Sequence, residues 1–186
     1  MSFDGNLSNS YFYFNQKDNI SKLTLFGDVS STEVILSKIM FKEEYGLDVN
    51  IEISQNRNIE NKNKLIVWDD NFTSGDVNLG LSLSEKISDI FDFPTPFVNY
   101  AFVSFDKEKI KIFDDIAEEI QNKILNTKEN SELFNSFNEA SKNFIIENIS
   151  SLIFNLDEVD REGLVEILKV PYYYGLIKDL IDVNFK

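Results

Sequence analysis

The chain has 186 residues, 42% hydrophobic and 27% charged, which is enough for one domain or two small lobes around a shared core. Its 32 acidic residues outweigh 18 basic ones for a net charge of −14, which argues against nucleic-acid or anionic-membrane partners. It has no cysteine and no histidine, so disulfides, thiolate chemistry and any imidazole mechanism are excluded.

Acid–base chemistry would fall to Asp, Glu, Lys, Tyr, water or the substrate itself. The start, Met1-Ser2-Phe3-Asp4-Gly5-Asn6, has neither the basic nor the apolar part of an export signal. No uninterrupted apolar run approaches the roughly 20 residues that span a bilayer. The expected location is the cytoplasm.

In chain order, Tyr11-Phe12-Tyr13-Phe14 and Leu23-Thr24-Leu25-Phe26 read as short strands, the second broken by Gly27-Asp28. A helix is expected from about Ser31 to Tyr45, because Ile35, Leu36, Ile39 and Met40 recur at helical spacing. Gly46 sits where a left-handed cap would end it. Val49 to Ile53 alternates like a half-buried strand. Gln55 to Lys64 is Asn-rich and reads as a loop, and Leu65-Ile66-Val67-Trp68 as a strand stopping at Asp69-Asp70. Ser82-Leu83-Ser84-Glu85 is a capping-box pattern opening a helix to about Asp92. Phe93-Pro94-Thr95-Pro96 must leave that helix. Phe97 to Ser104 reads as a longer strand.

The later chain reads as helices. Ile110 to Leu125 carries Phe113, Ile116, Ile120 and Ile124 on one face, and Asn130 to Ile149 forms a second amphipathic helix. Gly163–Leu168 and Tyr173–Ile181 suggest two more, separated near Pro171. Alternating strands and helices followed by helices predict an α/β lobe over residues 1–104 and a helical segment over 105–186.

The turn Asp28-Val29-Ser30-Ser31-Thr32-Glu33 carries two readings. Ser30 and Glu33 fit a capping box, which needs no ligand and is the preferred reading. Three hydroxyls and free N–H groups at a helix start also suit a carboxylate or phosphate, although Glu33 competes for the same positive end. Asp69 and Asp70 follow a strand, where α/β ligand sites lie, but such residues more often form turns. No acidic loop of the D-x-D-x-D-G type exists, so no metal is expected, and no cofactor is implied. Phe97 to Phe102 is chiefly core, with Asn99 and Tyr100 as cleft candidates. Tyr172-Tyr173-Tyr174-Gly175 reads as packing with polar tips outward.

The order of these pieces resembles the menaquinone-biosynthesis family of the futalosine route, chorismate dehydratase and its relative, the cyclase. The resemblance rests on Asp28-Val29-Ser30-Ser31-Thr32 leading to Tyr45-Gly46-Leu47, and on the strand ending at Trp68-Asp69. It extends through Asp76 to Ile87 and Phe93 to Ala101, and through Asn148-Ile149, Asn155-Leu156 and Arg161-Glu162-Gly163-Leu164.

What the resemblance implies is the two-lobed fold of type II periplasmic-binding proteins, used as a cytoplasmic carbon–oxygen lyase that removes water from chorismate or a similar small carboxylate. It implies substrate contacts at Ser30, Ser31, Thr32, Asn99 and Tyr100. The family's opening segment, with its P-Y-L-N signature, has no counterpart, so the fold is expected to be incomplete. A homodimer or a partner chain would then cover the missing lobe. The family's turn reads D-T-S-S-R-T-S, and here Thr32-Glu33-Val34 replaces its Arg-Thr-Ser, which should weaken the grip on a dianion. The alternatives are a non-catalytic remnant that binds a small molecule or a protein, and a plain acidic interaction module.

Overall fold

The computed structural model describes residues 1–15, 20–55, 62–73, 77–92, 95–127, 131–183 and 185. The chain opens with β1 (Ser2–Phe3) and crosses to β2 (Ser10–Tyr13) and β3 (Lys22–Gly27). There follow α1 (Ser31–Tyr45), β4 (Asn50–Ile53), β5 (Lys64–Val67), a short α2 (Asp70–Thr73), β6 (Leu81–Ser82) and α3 (Leu83–Phe91). It returns as β7 (Phe97–Val98) and continues into α4 (Lys107–Leu125), α5 (Glu139–Glu147), β8 (Leu152–Ile153) and α6 (Glu158–Tyr173).

The main sheet runs β4-β3-β5-β2-β6. β3 pairs in parallel with β4 and β5, and β2 lies antiparallel between β5 and β6. The parallel pairs need crossovers, and α1 supplies the one from β3 to β4. Leu23 to Phe26 are buried at every position, as befits a central strand covered on both faces. The fold class is therefore α/β, with parallel pairing as the sequence predicts.

Strand alternation sends neighbouring rings to opposite faces. Phe12 packs edge-on against Phe41 of α1, centroids 5.7 Å apart, inside a cluster with Leu25, Met40, Leu83 and Ile87. Tyr11 meets Phe72 of α2 at 6.0 Å and Phe144 of α5 at 6.1 Å. Its hydroxyl donates to the Asn6 carbonyl and accepts from the Ser8 N–H, each at 2.8 Å, so the ring is buried without an orphaned polar atom. Helices thus cover both faces of the sheet.

A second, small sheet runs β7-β1-β8, antiparallel throughout. Its β1 and β7 are the two segments by which the chain passes into and out of the main sheet.

Several expectations need correction. The strand predicted over Phe97–Ser104 is two residues long, because its partner β1 is two residues long and beyond it only Met1 remains to bond Asn99 and Tyr100. The helix predicted over Asn130–Ile149 is broken. Glu132–Phe134 forms a 3₁₀ turn, and α5 starts only where Asn138 caps it by accepting from the Ser141 N–H at 2.9 Å. The second of the two predicted C-terminal helices, Tyr173–Ile181, is absent, and the first lies inside the longer α6, which contains Pro171 in its last turns. Beyond it Gly175 turns left-handed (φ 68°), and the chain to Ile181 is not helical. Most of the loop predicted over Gln55–Lys64 and the Phe93-Pro94 break lie outside the described residues. The α4 stripe is present, but Phe113, Ile116 and Ile120 are exposed and only Ala117 of this helix is buried.

Candidate functional site

The site lies beyond the carboxyl ends of parallel β3 and β5, where loops of an α/β sheet diverge and leave a crevice. After β3, Gly27 (φ 90°) turns the chain into Asp28 and the start of α1. Ser30 is the N-cap. Its Oγ accepts from the Thr32 N–H at 3.1 Å, while Glu33 Oε2 accepts from the Ser30 N–H at 2.9 Å and from the Ser30 hydroxyl. The capping box expected from the sequence is therefore formed. Ser30→Ala should cost about 1 kcal/mol of stability, measurable by urea denaturation, and an unchanged midpoint would show the cap to be dispensable.

Glu33 is 3% exposed, and no described lysine or arginine pairs with it. Among the described residues its other oxygen, Oε1, has only the Ser10 hydroxyl at 3.5 Å, and that hydroxyl lies closer, 3.0 Å, to Asn9 Oδ1. A single hydroxyl proton cannot serve both acceptors well.

At the end of β5, Trp68 has φ 76°, which bulky side chains rarely adopt. Asn71 of α2 holds this turn. It is fully buried, and its Nδ2 donates to the Ile66, Trp68 and Asn9 carbonyls at 2.9, 3.0 and 3.3 Å. Its Oδ1 accepts from the Tyr13 hydroxyl at 3.0 Å. The turn presents the Trp68 ring, 39% exposed, edge-on to Tyr100 with centroids 6.2 Å apart. Beyond β7, the Asn99 and Tyr100 N–H groups donate to the Met1 carbonyl at 3.1 and 3.2 Å. The Met1 amino group donates to the Tyr100 carbonyl at 2.8 Å. Partial burial lowers its pKa from the ordinary amine value.

These segments enclose a cleft of about 340 Å³ lined by Ser30, Thr32, Glu33, Trp68, Asn99 and Tyr100, with Asp28, Asn9, Phe97 and neighbouring backbone. Four of the five expected contact residues, Ser30, Thr32, Asn99 and Tyr100, come together here. Ser31 does not line the cleft, since each helical step turns a side chain by about 100°. Sequence reasoning missed Asn9, Glu33 as a wall and Trp68 as a ring platform. The available signal for Trp68 was a lone tryptophan at the carboxyl end of a parallel strand. Asp69 and Asp70 line a different cavity, of about 320 Å³, across Trp68 from the first. The Asp69 carbonyl accepts from the Phe72 and Thr73 N–H groups as the turn into α2.

Among the described residues, the only charged ones lining the main cleft are Asp28 and Glu33, both acidic. Among the described residues no cluster of three or more potential metal ligands exists, and no helix is long and apolar enough to cross a membrane. Compared with known proteins, the sequence matches no family model and no curated protein.

Proposed function

We propose that this chain is a small-molecule-binding lobe of the two-lobed, type II periplasmic-binding-protein kind, with its ligand held in the cleft between the start of α1, Trp68 and Tyr100. The observation that carries the proposal is convergence. Asn9, the turn residues Asp28, Ser30, Thr32 and Glu33, Trp68, and Asn99-Tyr100 come from four separated segments and meet at one crevice beyond parallel strands. The topology supports it too. The chain passes into the main sheet after β1 and out before β7, and those two strands pair. Adjacent crossings of this kind suit a lobe that hinges against a neighbour.

The same cleft is the place for the second reading, removal of water from chorismate. That reaction would bring a dianion against Asp28 and Glu33, with no basic side chain among the described residues of the lining. The charge-assisted bonds that grip carboxylates are therefore missing, which favours binding without catalysis. Calorimetric titration with chorismate, with absorbance followed in parallel, separates the two. The expected result is an unchanged chorismate spectrum. Loss of the chorismate spectrum would overturn the non-catalytic reading and restore a working lyase.

A further inference from the structure

We infer that the cleft takes a small organic cation, a primary amine or guanidinium, recognised by Glu33 and Asp28 and by the Trp68 and Tyr100 rings. The inference rests on the small-molecule-binding reading above and names the ligand's chemistry.

Its starting point is Glu33. A buried carboxylate normally has a cationic partner or a metal, and this one has neither among the described residues. The capping box does not explain the charge. It occupies Oε2 alone, and a glutamine at this position would close the same box. Oε1 is left with one long contact to a hydroxyl whose better acceptor is Asn9, while the residue itself forms part of the cavity wall. An N–H⁺ donor entering the cleft would complete it.

Two further features of the lining fit the same class. Trp68 and Tyr100, 39% and 56% exposed and set edge to face, line the cleft with aromatic surface, and aromatic rings attract ammonium and guanidinium groups. Asp28 adds a second negative charge at the rim, and Asn99 a polar amide. Among the described residues, no lysine or arginine in the lining would compete for these acceptors. The net charge of −14 draws cations toward the protein at low salt.

The test uses three probes of one shape: benzylamine, benzyl alcohol and benzoate. Trp68 is the only tryptophan, and it borders both this cleft and the cavity at Asp69 and Asp70, so its fluorescence in a titration of the full chain reports binding at either and Glu33→Gln tells the two apart. Benzylamine is expected to bind at least roughly tenfold more tightly than either of the others, with the preference shrinking as salt rises. Glu33→Gln, which keeps the capping box, should lower benzylamine affinity roughly tenfold with the circular dichroism spectrum unchanged. Equal binding of benzyl alcohol or benzoate would overturn the cation assignment and leave small-molecule binding standing. Full benzylamine preference in Glu33→Gln would overturn the part given to that carboxylate. Silence from all three probes would overturn the cation assignment and the binding reading together.

Discussion

Gly27→Ala is expected to destabilise the fold by about 3 kcal/mol, from left-handed strain and overpacking acting at one position. Gly27 ends β3 at φ 90°, and a methyl group there would lie 2.1 Å from the Val67 carbonyl oxygen. That oxygen belongs to the neighbouring strand, paired in register with Gly27, so it cannot swing away as a side chain could. Either β3 and β5 part at their carboxyl ends or the glycine site distorts. Both outcomes move Asp28 and the start of α1, and probe binding should weaken along with stability. Gly46 is the control. It too is left-handed, at φ 67°, but a Cβ there would meet nothing within 4 Å. Gly46→Ala should cost about 1 kcal/mol, for conformational strain alone. Matched urea midpoints for the two variants would show that the sheet absorbs the clash and would remove the steric argument.

Asn71→Leu is the second large effect, again about 3 kcal/mol. The leucine is close to asparagine in size and loses every polar contact. The carbonyls of Asn9, Ile66 and Trp68 lose a shared donor, and the Tyr13 hydroxyl loses its acceptor. The Asn9 and Trp68 carbonyls keep backbone donors, the Trp68 and Asn71 N–H groups, so the cost comes from several interior hydrogen bonds lost at once through one amide. The variant also tests what keeps Trp68 in its unfavourable conformation. With Asn71 gone, the backbone at Trp68 should relax toward negative φ, carrying the ring away from Tyr100. A shift in tryptophan emission should accompany the loss of stability. Native emission together with native stability would show that the turn is held by something other than this amide.

The parts of the fold legible in the sequence are those where several local signals agree. α1 was readable because its cap, its apolar spacing and its terminating Gly46 all point to one helix. β3 and β5 were readable as apolar runs bounded by turn residues. β1, β6 and β8, at two residues each, carry no periodicity at all and exist only because a distant segment pairs with them. The helix expected from Asn130 was overextended because its apolar spacing continues through a region where Asn138 makes a new cap. Pro171 does not stop α6, which runs through it to Tyr173 because little ladder is lost so near a helix end, and among the described residues no helix follows where Tyr173–Ile181 was expected. The site divides in the same way. Ser30, Thr32, Asn99 and Tyr100 stood out as polar residues beside strand and helix ends. Asn71 did not, because its importance comes from four partners brought together by tertiary folding.

The pairing of β1 with β7 has a consequence for how this lobe could be reused. Ser2 lies opposite Val98 and Phe3 opposite Phe97, so the stretch between them leaves the small sheet and returns to it one strand spacing away, about 5 Å. A segment whose two ends are neighbours can be transplanted as a cassette into a surface hairpin of another protein without stretching its host. Residues 4–96 contain the main sheet, α1 and Trp68, but not Asn99 or Tyr100, nor Phe144 of α5 and Ile167 and Val170 of α6, which pack on the sheet and would have to be replaced by the recipient. A recipient hairpin that supplied its own aromatic ring after the second junction would rebuild the mouth of the cleft with a wall of different chemistry.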